Sequence, residues 1–483
     1  MKDVSNKQAY RQIIKATSIF GGVQVINILV GIARSKIIAL LLGPSGYGLY
    51  SLLQSTIQMI AGFTNVGISS SSVRNISEAY ASENMEKITI TVSVVNKLML
   101  LLGGIGVIVT ILLSRFISIF TFDSVDFEYA FIVLSITILF QQMMQAKMSV
   151  LQGMRKIKYL ANSSVLGAIL AFLISIPFYY FWKIDGIVPT LLLTSIITYL
   201  SVSYFYKKLK IEYVRLPLKV IWRNGKDMIA MGFAMGLNSM LGLCISYFMR
   251  AFLNINGGIV EVGLFQAGWS VVSTYVGMIF TAMGTDYYPR LATVNKNDVK
   301  CCELMNQQGE ISLLIITPII ILFLLFAPLA VVILYSSDFI AITTFMQLSM
   351  LGMIFKVGSW VMGYSFVAKG ESKLYIYNEL IANAYMLLLN ICCYLSWGID
   401  GLGVAFSLGY LVYMLQVYFI VKRRYDFRLS RNAISIFLFS SLFVLASFAF
   451  IKYMAQPYSY VCTSIVMLFS FIYSILSLKK KIF

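Results

Sequence analysis

Five cations stand inside runs of sequence that are otherwise almost wholly apolar: Arg34, Lys36, Lys97, Arg250 and Lys356. The acids do not accompany them. Glu379, one or two turns into its own apolar run, is the single carboxylate comparably placed. Cations taken out of water without partners repel one another and lose hydration. Such an arrangement is tolerable when the cations face a water-filled cavity that an anion enters. Arginine suits phosphate there, because its planar fork holds two oxygens at once. Arg34, Arg250, Lys97 and Lys356 are therefore the candidate anion-binding residues, and Glu379 is the candidate for coupling to a proton or a cation. Arg34, Lys36 and Arg250 are close enough to the ends of their runs to reach the interface by snorkelling, whereas Lys97 and Lys356 are mid-run.

Uncharged polar residues recur at helical spacing beside these cations. Gln24, Asn27, Gly31 and Arg34 share one face at 100° per residue, as do Ser51, Gln54, Gln58 and Asn65. Ser239, Ser246 and Arg250 form a third stripe, and Gln141 stands at a depth similar to that of Lys356. Asn27, Gln54, Gln58, Asn65 and Gln141 are the candidate lining of a shared, inward-facing polar cavity. Stripes of this kind also serve as packing between helices. Other chemistries are closed. The chain has no histidine, which removes Ser-His and Cys-His catalysis and histidine metal sites. Cys244, Cys301, Cys302, Cys392, Cys393 and Cys462 match neither a zinc spacing nor a redox pair. No metal, cofactor or catalytic residue is expected.

The elements that must position these residues are membrane helices. Of 483 residues, 59% are hydrophobic and 12% charged. An ordinary soluble domain carries about 25% charge. Fourteen apolar runs reach the ~20 residues a bilayer needs. They lie near 13–42, 46–67, 88–113, 128–150, 160–182, 187–206, 228–253, 260–283, 311–335, 339–367, 374–397, 400–421, 432–453 and 457–477. Continuous apolarity disfavours a β-barrel, whose strands alternate. The expected fold is all-α and polytopic. The net charge of +18 then reports topology rather than nucleic acid. With the N-terminus in the cytoplasm, the basic residues between spans fall almost entirely on that side. Arg115, Lys183 and Lys452 are the exceptions. Both termini are expected in the cytoplasm. The basic stretch 207–227 reads as a cytoplasmic linker resting on anionic membrane lipid.

The chain also repeats itself at a spacing of about 215. Trp182, Asp185 and Gly186 recur as Trp397, Asp400 and Gly401, and Tyr47-Gly48-Leu49-Tyr50 recurs as Val262-Gly263-Leu264-Phe265. Gly153 pairs with Gly370, Arg34 with Arg250 and Arg74 with Arg290. The repeat holds six spans, an even number, so both halves enter the membrane in the same direction. The expected organisation is a six-helix lobe over 1–206, the linker 207–227, a second six-helix lobe over 228–421, and two additional helices within 432–477. In repeat transporters the substrate site typically lies between the repeats, and rocking gives alternating access.

On these residues the chain resembles the polysaccharide flippases of the multidrug/oligosaccharidyl-lipid/polysaccharide exporter superfamily, nearest to the O-antigen branch. Arg34-Ser-Lys, then Leu41-Leu42-Gly43-Pro44 and Gly46-Tyr47-Gly48-Leu49-Tyr50, are similar to the family's segment joining spans 1 and 2, and the turn Ile184-Asp185-Gly186-Ile187 also fits. The resemblance implies a V-shaped pair of bundles around a cationic cavity. It implies a bacterial inner-membrane flippase that carries undecaprenyl-pyrophosphate-linked oligosaccharide from the cytoplasmic to the periplasmic leaflet. It further implies association with polysaccharide assembly proteins. It assigns Arg34 the family's basic position in span 1 and makes the last two helices a groove for the lipid tail.

Two rivals remain. A cation-coupled multidrug exporter of the same superfamily needs buried carboxylates, which are scarce here. A membrane polysaccharide polymerase needs a large outer loop with catalytic residues, and the outer loops are short. Asp123, Asp126 and Glu128 are the one outer acidic cluster.

Overall fold

In the computed structural model, the described residues are 22–480 apart from 212, 213, 218, 234, 275 and 285. The start of the first expected span and two positions of the basic linker lie outside them. The described residues are almost entirely helical. In chain order the helices are α1 (Gly22–Asn65), α2 (Ile68–Ala81), α3 (Met85–Phe122), α4 (Glu128–Gly153), α5 (Ile157–Trp182), α6 (Ile187–Lys207) and α7 (Leu218–Gly257). There follow α8 (Ile259–Ser270), α9 (Gly277–Thr293), α10 (Asp298–Leu334), α11 (Thr343–Ala368), α12 (Ser372–Tyr425) and α13 (Arg431–Tyr453). The last is α14 (Tyr458–Lys480). A π-helical turn at Val271–Tyr275 separates α8 from α9.

Among the described residues, eleven continuous helical stretches are long and apolar enough to cross a bilayer, against fourteen expected spans. The difference lies in three stretches of 44, 51 and 54 residues: α1, α5 with α6, and α12. Each contains a non-helical residue near its middle: Gly43, Lys183 and Gly398. Two of these breaks are sharp reversals. A Cβ on Gly186 would lie 2.4 Å from Phe178 O, and one on Gly401 would lie 2.0 Å from Cys393 O. Eight residues of straight helix span about 12 Å, so the chain folds back at both places. The two halves of α12 are tied by Asn378 Nδ2 donating to Tyr413 Oη at 3.1 Å and Gln416 Nε2 donating to Asn378 Oδ1 at 2.8 Å.

The backbone repeats where the sequence does. Gly43 (φ 65°, ψ −172°) and Gly258 (φ 83°, ψ 172°) are 215 residues apart in nearly the same conformation. So are Lys183 (φ 47°, ψ −121°) and Gly398 (φ 59°, ψ −145°). Arg155 and Gly370 form a third pair with positive φ. This register corrects three sequence matches, among them Arg74 with Arg290, which are 216 residues apart. Gly370 is the counterpart of Arg155 rather than of Gly153. Arg250 lies one residue nearer its turn than Arg34 does, so the two arginines are not equivalent positions.

The chain divides into two compact units at Gly263. In the first, α7 packs with α1, α2 and α3. Its core holds Ile68, Ile76, Val92, Val95, Val150 and Met228. Several buried polar side chains are matched across helices, as membrane interiors favour. Ser71 Oγ donates to Met228 O at 2.8 Å, and Asn254 Nδ2 to Thr121 O at 3.0 Å. Gly48 and Gly263 cross closely: a Cβ on the first would lie 2.0 Å from Ile259 O, and on the second 1.9 Å from Pro44 O. In the second unit α11 packs along α12, and α13 and α14 lean on α10. Asn306 Nδ2 donates to Arg428 O at 3.0 Å, and Ser430 Oγ to Glu310 Oε1 at 2.9 Å. These bonds fix the entry of α13.

Candidate ligand cavity

The first unit encloses a cavity of about 560 Å³. Five helices supply its polar wall. The second half of α1 gives Gln54, Gln58 and Asn65, spaced to share a face. Helix α4 gives Thr137, Gln141, Gln142 and Gln145; α6 gives Thr194, Ser195 and Thr198; α7 gives Ser239. The start of α2 contributes Ser69 and Ser70, after Gly67 breaks the helix with φ 67°. Arg34 is the one charged residue among the described lining, and no carboxylate joins it.

The amides divide into two groups. Asn65 and Gln142 are committed to the protein. Asn65 Nδ2 donates to Gln142 Oε1 at 2.8 Å, and Gln142 Nε2 donates to Ala61 O at 2.8 Å and to Thr64 Oγ1 at 3.1 Å. Ser69 Oγ completes the cluster by donating to Asn65 Oδ1 at 3.0 Å. Gln54, Gln58, Gln141 and Gln145 make no side-chain hydrogen bond to a described residue and keep their donors and acceptors for whatever fills the space. Arg34 lies over the face of Tyr50, 5.4 Å from its centroid, and close to Tyr179. Its Nε is buried with no hydrogen-bond partner among the described residues. The site thus offers one guanidinium whose Nε is unpaired, four free amides and a set of hydroxyls. It can neutralise one anionic group and read many hydroxyl groups. No acid is present to attract a cationic ligand.

The structure brings together Arg34, Gln54, Gln58, Asn65 and Gln141 among the expected residues. Asn27 lies outside the lining, with Nδ2 donating to Ser164 Oγ at 2.9 Å. Arg250 is 7% exposed and also outside it. Its Nε donates to Ser51 Oγ at 2.9 Å, and its Nη1 donates to Ser246 O at 2.5 Å and to Ser246 Oγ. Lys97 is half-buried on α3 and does not line the cavity. Lys356 and Glu379 belong to the second unit. Lys356 Nζ lies over the rings of Tyr410, Phe280 and Phe406, at 5.1, 5.4 and 5.7 Å. Glu379 accepts from Tyr413 Oη beside Asn378 and Gln416. Sequence reading missed Gln142 and Gln145, although Gln141, Gln142 and Gln145 place three amides in five residues of an apolar helix. That density was the available signal.

Residues 13–295 match the family model described as polysaccharide biosynthesis protein. The lipid III flippase of Escherichia coli (strain K12) is 22% identical over 395 residues, covering 80% of this chain and 93% of that protein. The inward closed conformation of the lipid II flippase MurJ superposes with a TM-score of 0.67 at 14% identity, covering 96% and 99% of the two chains. An inward-facing multidrug resistance transporter of the MATE family gives 0.65 at 16% identity, covering 83% and 94%. The fold is thus that of this group of transporters. Among the described residues, eleven helical stretches long and apolar enough to cross a bilayer make the chain a multi-pass membrane protein.

Proposed function

Since the chain belongs to the polysaccharide biosynthesis protein family, within the multidrug/oligosaccharidyl-lipid/polysaccharide exporter superfamily, we propose that it flips a polyprenyl-pyrophosphate-linked oligosaccharide, of the O-antigen kind, from the cytoplasmic to the periplasmic leaflet by alternating access. The observation that carries this reading is the composition of the described lining: one guanidinium among free amides and hydroxyls, without a carboxylate. Arg34 holds the pyrophosphate. Gln54, Gln58, Gln141 and Gln145 exchange hydrogen bonds with the sugar, and Asn65 keeps that wall in place. Arg250, Lys97, Lys356 and Asn27 lie outside the lining; Arg250 ties α7 to α1 through Ser51, and Asn27 holds α1 against α5. Two of the similar proteins, the lipid III flippase of Escherichia coli and the lipid II flippase MurJ, are named for a lipid cargo. The absence of an acid in the lining disfavours a cationic drug as cargo. Glu379, bonded to Tyr413, is the coupling residue in this reading. Both termini face the cytoplasm, where anionic lipid meets the basic linker.

The test is deletion of the gene, followed by mass spectrometry of lipid-linked oligosaccharide and of surface polysaccharide. Accumulation of lipid-linked single units, with none transferred to the surface, is the expected result. Single units that reach the surface without forming long chains would overturn the reading and assign the chain to polymerisation.

A further inference from the structure

A second hollow, in the C-terminal unit, differs from the first in chemistry. It measures about 320 Å³, within the range of small-molecule sites. Its walls are Phe280, Thr281, Gly284 and Tyr288 from α9, facing Trp360 and Tyr364 from α11. Two of the ring pairs stand on edge and the third is tilted at 44°, so none of them closes the space by stacking. Trp360 and Tyr364 meet at 82° with centroids 5.3 Å apart, and Phe280 meets Trp360 at 68° and 5.5 Å. Tyr288 lies 5.9 Å from Tyr364. Glycine at 284 leaves the hollow open, since a Cβ there would come within 2.8 Å of Tyr364 Oη.

The position of this hollow in the repeat gives it meaning. The register set by Arg155 and Gly370 places Trp360 where α4 has Gln145, and Lys356 where α4 has Gln141. Both glutamines line the amide cavity of the first unit. The corresponding face of the second unit has exchanged amides for aromatic rings, with the Lys356 ammonium behind Phe280.

We propose that the cleft of Phe280, Tyr288, Trp360 and Tyr364 is a saccharide subsite that takes one pyranose ring of the carried oligosaccharide. The inference rests on the flippase reading above and adds a second contact to it. An aromatic face is electron-rich, and the C–H groups on one face of a pyranose are polarised by the ring and hydroxyl oxygens, so the two faces attract. The Tyr288 and Tyr364 hydroxyls make no hydrogen bond to a described residue and meet sugar hydroxyls at the edge of the ring. A prenyl chain in the same place would leave both phenols without partners. Residues of an interfacial aromatic belt point outward to headgroups, whereas Phe280 is 5% exposed and packs inward on Trp360, and Tyr288, 38% exposed, stands at the mouth of the hollow.

The test uses the full-length protein in nanodiscs and two probes: undecaprenyl pyrophosphate, and the lipid-linked saccharide extracted from cells lacking the gene. Wild type is expected to bind the saccharide-bearing lipid more tightly than the bare one. Trp360→Leu keeps apolar bulk without a ring face; it should weaken the saccharide-bearing lipid about tenfold and leave the bare lipid unchanged. Trp360→Phe, which retains a ring, should stay within about threefold of wild type for both. Equal binding of both lipids by wild type would sink the flippase reading itself. Preserved preference in Trp360→Leu, or an equal loss for both lipids, would overturn the subsite alone.

Discussion

Arg34 and Arg250 are the same residue type near the ends of their helices, and one residue of register separates their roles. Successive residues on a helix are 100° apart. Counted back from the paired turns at Gly43 and Gly258, Arg34 is nine residues away and Arg250 is eight. The first faces the cavity, and the second is spent on Ser51 and Ser246. Their substitutions should therefore differ in kind. Arg34→Ala removes a charged contact worth about 1.5–3 kcal/mol, so affinity for undecaprenyl pyrophosphate should fall roughly ten- to hundredfold with thermal stability held. Arg250→Ala should leave affinity near wild type and lower stability by about 1–3 kcal/mol, because Ser51 and Ser246 lose their buried partner. A binding titration and a melting curve on each variant check this, and the reverse pattern would refute it. The neighbouring glutamines divide in the same way. Gln142→Leu strips hydrogen bonds from Asn65, Ala61 and Thr64 and should destabilise. Gln141→Leu removes a free amide and should weaken saccharide binding without lowering the melting temperature.

At the scale of elements, the paired turns explain why the sequence repeat is visible at some places and hidden at others. Gly43 and Gly258 occupy a region of positive φ with extended ψ that is open essentially to glycine alone, so the residue type persists in both halves. Arg155 and Lys183 hold positive φ without being glycine, at a cost the surrounding turn bears. Their partners Gly370 and Gly398 therefore do not match them by letter, and sequence comparison slips by two residues at Gly153. The helices themselves were legible from apolar run length and stripe spacing. The joins at Gly43 and Gly398 fall in the short gaps left between expected spans, at 43–45 and 398–399; what the residue pattern did not mark was that helix continues through them almost unbroken, as one stretch of 44 residues and one of 54. Gly43→Ala and Gly258→Ala should each destabilise the protein by about 1–3 kcal/mol, although a Cβ at either position meets nothing within 4 Å. Gly22→Ala is the control, being helical and equally uncrowded. Thermal melts of the three variants in one detergent decide it: losses no larger than that of the control would show that the conformation is not what selects glycine.

Over the whole molecule, charge is segregated by function. The cavity was legible from sequence in part, because Arg34, Gln54, Gln58, Asn65 and Gln141 lie on stripes that a helix must turn inward. Lys97, Arg250, Lys356 and Glu379 share that polar character yet lie elsewhere. Depth in a helix does not state which neighbour a side chain meets. The remaining cations predict a topology. Arg115, Lys183 and Lys452 stand against the dense basic residues of the other side, including seven between 207 and 226. Crossing the membrane is costly for Lys and Arg near span ends, while acids contribute little to orientation. This bias predicts that the turn carrying Asp123 and Asp126 lies in the periplasm and the start of α10 in the cytoplasm. In a variant with all six native cysteines changed to serine, Asp126→Cys should react with a membrane-impermeant maleimide in intact spheroplasts. Lys300→Cys should react only after the membrane is permeabilised. Both positions belong to exposed helix-capping segments, where a thiol is accessible and the fold tolerates the change. Labelling of Lys300→Cys in intact spheroplasts, with Asp126→Cys protected, would invert the topology. The direction of transport proposed here would then fail with it, because the pyrophosphate must be loaded from the cytoplasmic leaflet.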